Sequence, residues 1–304
     1  MEFFFIAILL IRFSGQGMMS HTATTTISRY FTNTRGKALS TGWFGLSSAE
    51  FLLPITIIYA LTVIDWRNIW IIISIFIVLF LPVVSYFLVK EIKLSSREND
   101  IKFIKNNIKN WKRSEVIRDY RFIIVALNML AMPCIVTGIF VYQSFILTSK
   151  NWGEYIIAQS FMVYSVSSVL TLFVAGYLID KFTSRKLLIY MNIPLLISLL
   201  ILIYFQSPLS SFFFLGLIGL SNGFANVLGS STWAELYGVK FIGSIKALSG
   251  ALMVFSTAFG TALFGLLIDL NFSLEQISVI CSAYILISLL LLLLIKNKLN
   301  PTIV

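Results

Sequence analysis

The chain has 304 residues, 58% of them hydrophobic and only 12% charged, with a net charge of +10. Soluble domains carry about 25% charged residues, so this composition excludes an ordinary soluble domain and points to a lipid environment. The two cysteines, Cys134 and Cys281, both lie in apolar runs, which argues against a disulfide framework, and metal-ligand spacing is absent.

A spanning helix needs about 20 mostly apolar residues. Taken in chain order, nine segments meet this: A, 3–27; B, 41–63; C, 68–90; D, 121–147; E, 155–179; F, 187–205; G, 208–235; H, 247–269; and I, 274–295. Met1 leads straight into segment A, with no basic stretch or small-residue cleavage site before it. The 30 or so residues between C and D are rich in lysine. Within them Ile101, Ile104, Ile108 and Trp111 recur at helical spacing, which predicts an amphipathic helix on the membrane surface; a flexible charged linker is the plainer alternative. The predicted organisation is a three-helix part over 1–90, a basic linker over 91–120 and a six-helix bundle over 121–304.

The positive charge follows this pattern. Of the 23 Lys and Arg, twenty fall in the A–B, C–D, E–F and G–H connections and after I; only Arg67 and Lys150 lie on the opposite side, and Arg12 lies within a span. That asymmetry places the C-terminus in the cytoplasm and the N-terminus outside. It also accounts for the basic balance without nucleic acid.

The spans differ in polarity. C, F and I are uniformly apolar, whereas A, B, G and H carry Gly, Ser, Thr and Asn throughout. Small and polar residues mark helix contacts and water-filled interiors, so every third helix is expected to face lipid, in a repeat of three-helix units. Two short stretches, RGKALS at 35–40 and SIKALS at 244–249, enter helices B and H at equivalent places.

Four segments carry a family resemblance. Residues 176–186, GYLIDKFTSRK, resemble the loop signature G-x-x-x-D-R/K-x-G-R-R/K of the major facilitator superfamily, with Thr183 at the usual glycine and Ser184 at the first arginine. Residues 12–17, RFSGQG, resemble the R-x-x-x-Q-G pattern of that family's fourth helix. Residues 114–122, SEVIRDYRF, are similar to the lead into its seventh helix. The run from Glu235 to Asp269 is similar to its tenth and eleventh helices. The resemblance implies an all-α polytopic membrane protein with a facilitator-type bundle, made of three helices of the N-terminal half and all six of the C-terminal half. Helix A is then the family's fourth, and the first three are missing. Such proteins are built from inverted three-helix repeats and bind solute between the halves.

An ionisable group at membrane depth costs about 3 kcal/mol or more unless paired or solvated, so it marks a site. Arg12 and Glu50 lie near the middle of A and B. They read as a substrate-anion site and a proton-sensitive carboxylate, or else as a structural pair. Gln16 follows Arg12 by four residues and shares its face. His21 falls elsewhere on the helix and reads as a packing residue. Asn222 and Asn226 on G, with Asn128, Tyr142 and Gln143 on D, are candidates to line a cavity; the alternative is helix–helix hydrogen bonding. Gly219 and Gly223 read as packing residues. By resemblance, Gly176, Asp180 and Arg185 form a conformational latch on the cytoplasmic side.

The chain contains no G-x-S-x-G, H-E-x-x-H, P-loop or C-x-x-C, and its one histidine argues against most His-based metal sites. No enzyme, cofactor or ATP-driven process is indicated. The resemblance implies a secondary transporter of a small solute in the plasma membrane, with protons as a candidate coupling ion and Arg12 favouring an organic anion such as a carboxylate. The competing reading is a transporter-like chain without transport activity, such as a truncated gene product.

Overall fold

The computed structural model describes residues 2–31, 34–90 and 109–301, without the side chains of Arg12, Gln16, Glu50 and a few other helical residues. The described residues are helical, with no strand among them. In order they form α1 (Glu2–Ile11), a π-helical stretch (Arg12–Met19), α2 (Ser20–Tyr30), α3 (Arg35–Leu61), α4 (Trp66–Lys90), α5 (Arg113–Ile117), α6 (Tyr120–Val141) and α7 (Gln143–Lys150). There follow α8 (Glu154–Phe182), α9 (Ser184–Met191), α10 (Ile193–Tyr204), α11 (Ser210–Tyr237), α12 (Ile242–Asp269), α13 (Leu274–Ile295) and a 3₁₀ turn (Lys296–Lys298).

Among the described residues, seven helical stretches are long and apolar enough to cross a membrane, and they match the expected segments C to I. Segments A and B are not among the seven, so the expected count of nine is not reached. Segment A is divided. Ser14 bonds back to the Leu10 carbonyl at 2.6 Å, and Gly15 and Gly17 follow it; each weakens a regular helix, and the ladder loosens to π over these residues. Segment B is α3, several of whose side chains lie outside the described ones. The amphipathic helix expected over 101–111 also falls outside the described residues, apart from its last three positions.

Two compact units emerge: Met1–Phe44 with Ile108–Val304, and Gly45–Asn107. The second consists of the rest of α3 and of α4. On α4 an apolar ridge of Ile72, Ile75, Phe76, Leu79, Phe80 and Val83 stands exposed, with Phe76 and Phe80 stacked at 4.9 Å. This suits the lipid-facing role expected of segment C.

In the first unit, α8 packs along α11 and α6 along α12. Gly223 makes the first crossing possible: a methyl there would meet the Ser168 carbonyl at 2.6 Å, and one on Gly219 would strike the Tyr164 carbonyl. Buried amides and hydroxyls tie the helices further. Asn192, at the break between α9 and α10, donates to the Asn128 carbonyl at 2.6 Å, and the Ser221 hydroxyl accepts from the Leu195 N–H at 2.9 Å. At the less basic end, Lys150 pairs with Glu275 at 2.9 Å, and Ser273 with Gln276 forms a capping box on α13.

The polarity ranking does not carry over to burial within this unit. α12, rich in Gly, Ser and Thr, is the least buried of its spans, while α13 and the α9–α10 stretch are buried to about the same degree as α11. Small and polar side chains mark where a helix meets either a neighbour or open space. α12 spends one face on α6 and α2 and leaves the other uncovered.

Candidate gate at the basic end

The end of the first unit where Lys and Arg gather is held by side chain-to-backbone contacts at helix ends. α3 begins at Arg35, and its first N–H groups have no partner within the helix. Asp180, in the last turn of α8, supplies one: its Oδ1 accepts the Gly36 N–H at 2.7 Å and its Oδ2 the Lys37 N–H at 3.1 Å. A carboxylate there also meets the positive end of the helix dipole. The approach needs two glycines. A side chain on Gly36 would strike the Gly176 carbonyl, and one on Gly176 would meet the Ser40 hydroxyl at 2.6 Å. Beyond this point Leu39 is buried among Leu172, Ala175 and Ile179, and the Phe44 and Phe173 rings lie 5.3 Å apart. Arg35 is buried, donates Nε to the Phe31 carbonyl at 3.2 Å, and lies within the attraction of both Asp180 and Glu235.

The corner between α8 and α9 repeats the device. Glu235, in the last turn of α11, accepts the Ser184 N–H at 2.9 Å and the Arg185 N–H at 3.4 Å, capping α9. Its carboxylate also stands 3.6 Å from Arg185 Nε. Arg185 Nη1 reaches on to the Leu299 carbonyl at 2.8 Å and Asn300 Oδ1 at 3.0 Å, which ties down the end of the described chain. Thr183, at the corner itself, adopts φ 75°, ψ 147°, a conformation favoured by glycine. This is the position where the loop signature carries glycine.

Around it, Asp119 accepts from Arg121 Nε at 2.9 Å and from the Tyr237 hydroxyl at 3.1 Å. Trp111 packs edge-on against Tyr237 at 5.6 Å, and its backbone N–H donates to the Tyr237 carbonyl. Glu115 is held below the usual carboxylate range, first by the Lys112 N–H and then by Lys109.

The residues singled out from the sequence are dispersed. Gly176 and Asp180 meet at the α3–α8 contact, and Arg185 sits one corner away. Arg12 and Gln16 lie in the π-helical stretch of the first unit, and Glu50 belongs to the second; their side chains are outside those described. Asn128 is fully buried and donates to the Ser288 hydroxyl at 3.4 Å, so in this arrangement it ties helices and lines no open space. Asn222 donates to the Ser168 hydroxyl at 3.0 Å, with Asn226 half-buried one turn on. Tyr142 is half-buried at the break between α6 and α7, its hydroxyl against Gly265. Gln143 is exposed beside a small cleft formed with Phe140, Phe161 and Phe214.

Glu235 and Arg35 help hold this end together, and sequence reasoning gives them no role. The available signal was positional: Glu235 ends its span before a basic connection, just as Asp180 does, and Arg35 opens the stretch that has a counterpart at 244–249.

Against this geometry, the family model of the Major Facilitator Superfamily matches residues 1–261 and, in an overlapping alignment, 144–302. The chain belongs to that superfamily of solute transporters, and with its spanning-length apolar helices it is an integral membrane protein. No curated protein matches it.

Proposed function

We propose that the protein is a secondary transporter that moves a small organic anion across the plasma membrane by alternating access, with its basic end and C-terminus in the cytoplasm and its N-terminus outside. The contact of Asp180 with the head of α3 is the observation that carries this reading. A carboxylate holding two backbone N–H groups makes a firm, non-covalent tie between the start of one spanning segment and the end of another. Such a tie breaks without unfolding either helix.

In this reading Gly176, Asp180 and Arg185 form the latch of the closed cytoplasmic side. Arg12 and Gln16 bind the anion from the π-helical stretch, a feature common at functional sites. Glu50 responds to protons, and Asn222, Asn226, Tyr142 and Gln143 border the solute path. An arginine at membrane depth favours a carboxylate, because the guanidinium fork matches its two oxygens.

Uptake of radiolabelled lactate, succinate and citrate into proteoliposomes tests the reading. The expected result is saturable uptake of at least one of them, lowered about tenfold or more by Arg12→Leu. Uptake no greater than in protein-free liposomes for all three contradicts an organic-anion substrate.

A further inference from the structure

Every acidic side chain described at the basic end of the first unit has a partner. Asp119 holds Arg121 and Tyr237, Glu115 holds Lys109 and the Lys112 N–H, Asp180 caps α3, and Glu235 caps α9 and faces Arg185. Most of the Lys and Arg at this end reach solvent, but one amine among the described residues is buried without a partner. Lys246, one turn into α12, is only 7% exposed, and its Nζ is sealed from solvent with no hydrogen-bond acceptor among the described residues.

Its surroundings make this worse. α12 packs against α2, and Gly243, on the same face as Lys246, stands against the Thr25 methyl. His21 lies one turn before Thr25 and is within reach of the Lys246 charge; Arg35 reaches Lys246 in turn. Both neighbours are basic. The other charged groups carried by the elements packed on α12 are Arg29 on α2, Glu235 on α11, Arg121 on α6, and Arg113 and Glu115 on α5. The two acids in that set are already engaged. The seam carries a further orphan: the hydroxyl of Thr25 on α2 is buried without a partner among the described residues, as is that of Thr232 on α11. From α2 the Ser28 hydroxyl donates across to the Ser230 carbonyl of α11 at 3.4 Å.

Burying an amine this way is unfavourable in either protonation state. Kept charged, it has lost its hydration and gained no counter-charge among the described residues; made neutral, it must give up its proton and still lacks an acceptor. α2 lies against α12 at Gly243, one turn before Lys246, so the cost is tied to the packed state of this seam. Once α2 withdraws, Lys246 and Thr25 meet water.

We propose that Lys246 is a counter-spring of the gate. By raising the free energy of the sealed basic end, it opposes the Asp180 and Glu235 contacts that hold that end shut, and so keeps the two states close enough to exchange. This rests on the alternating-access reading above.

The test uses the full chain in lipid nanodiscs, spin-labelled at Arg29→Cys and Lys240→Cys, both exposed positions, with Cys134 and Cys281 buried. Electron–electron resonance then reports the distance between α2 and the start of α12. Wild type shows a short and a long population. Lys246→Met raises the ratio of short to long about tenfold or more, Lys246→Gln moves it the same way, and Lys246→Arg leaves it near wild type. An unchanged or lowered ratio in both Met and Gln variants overturns the proposal, since Lys246 would then be neutral to closure or support it. If Lys246→Met does not fold, Lys246→Gln alone decides. A single distance in wild type and in Asp180→Ala alike removes the alternating-access reading, and this proposal with it; two populations that ignore Lys246 remove only its role.

Discussion

At the scale of single residues, the α8–α9 corner joins a sequence anomaly to a structural one. Threonine occupies the position where the loop signature has glycine, and its backbone lies at positive φ in a region that β-branched residues avoid. Its hydroxyl is also buried without a partner. Strain of this kind costs about 1–3 kcal/mol, against which glycine would lose roughly 1 kcal/mol in chain entropy. Thr183→Gly is therefore expected to stabilise the protein by about 1 kcal/mol, read as a higher thermal midpoint in detergent. Thr183→Ala, which removes the orphan hydroxyl but keeps the Cβ, falls between the two. A lower midpoint for the glycine variant would show that the corner is not strained.

At the scale of elements, helix ends matter more than helix middles. The apolar runs made segments C to I legible, because length and hydropathy alone separate a spanning helix from a loop. What that signal does not carry is how a run is broken. Asn192 reads as one polar residue in an apolar span, yet it divides α9 from α10 and donates into α6. Segment A reads as one helix, yet its Ser and Gly residues loosen it into a π-helical stretch. Asp180 was legible through its motif. Glu235 was not, because a carboxylate that caps a helix fifty residues away leaves no local pattern. Its weight is measurable. Glu235→Ala removes the acceptor of two N–H groups and the partner of Arg185, an expected loss of about 2–3 kcal/mol. Glu235→Gln, which can still accept, loses less. Thermal unfolding of both variants in the same detergent checks the order.

At the scale of the whole molecule, charge had two layers of meaning. Summed over the connections, Lys and Arg give an orientation, and for that purpose Lys246 is one count among twenty. In the structure it is a buried amine without a counter-charge among the described residues, and Arg35, another count, is buried within the attraction of two carboxylates. A sum over loops cannot distinguish a solvated charge from a sealed one, because burial depends on which helix lies across it. The same limit applies to Asn128 and Asn222. Polar residues in spans read as candidates for a cavity; Asn128 is fully buried in helix contacts, including Ser288, while Asn222 bonds Ser168 and stays half-buried. Composition shows that such groups need partners, and only the packing says whether the partner is another helix or a solute.

Alternating access at this end requires that the Asp180 contact with α3 break and re-form in a working cycle. Counterflow uptake into proteoliposomes, normalised to reconstituted protein, tests it most directly in wild type, Asp180→Asn and Asp180→Ala. The expected result is robust uptake by wild type, a partial loss in Asp180→Asn, which keeps an acceptor but not the charge, and a loss of about tenfold or more in Asp180→Ala. Wild-type rates in Asp180→Ala, with the variant fully folded, would contradict it.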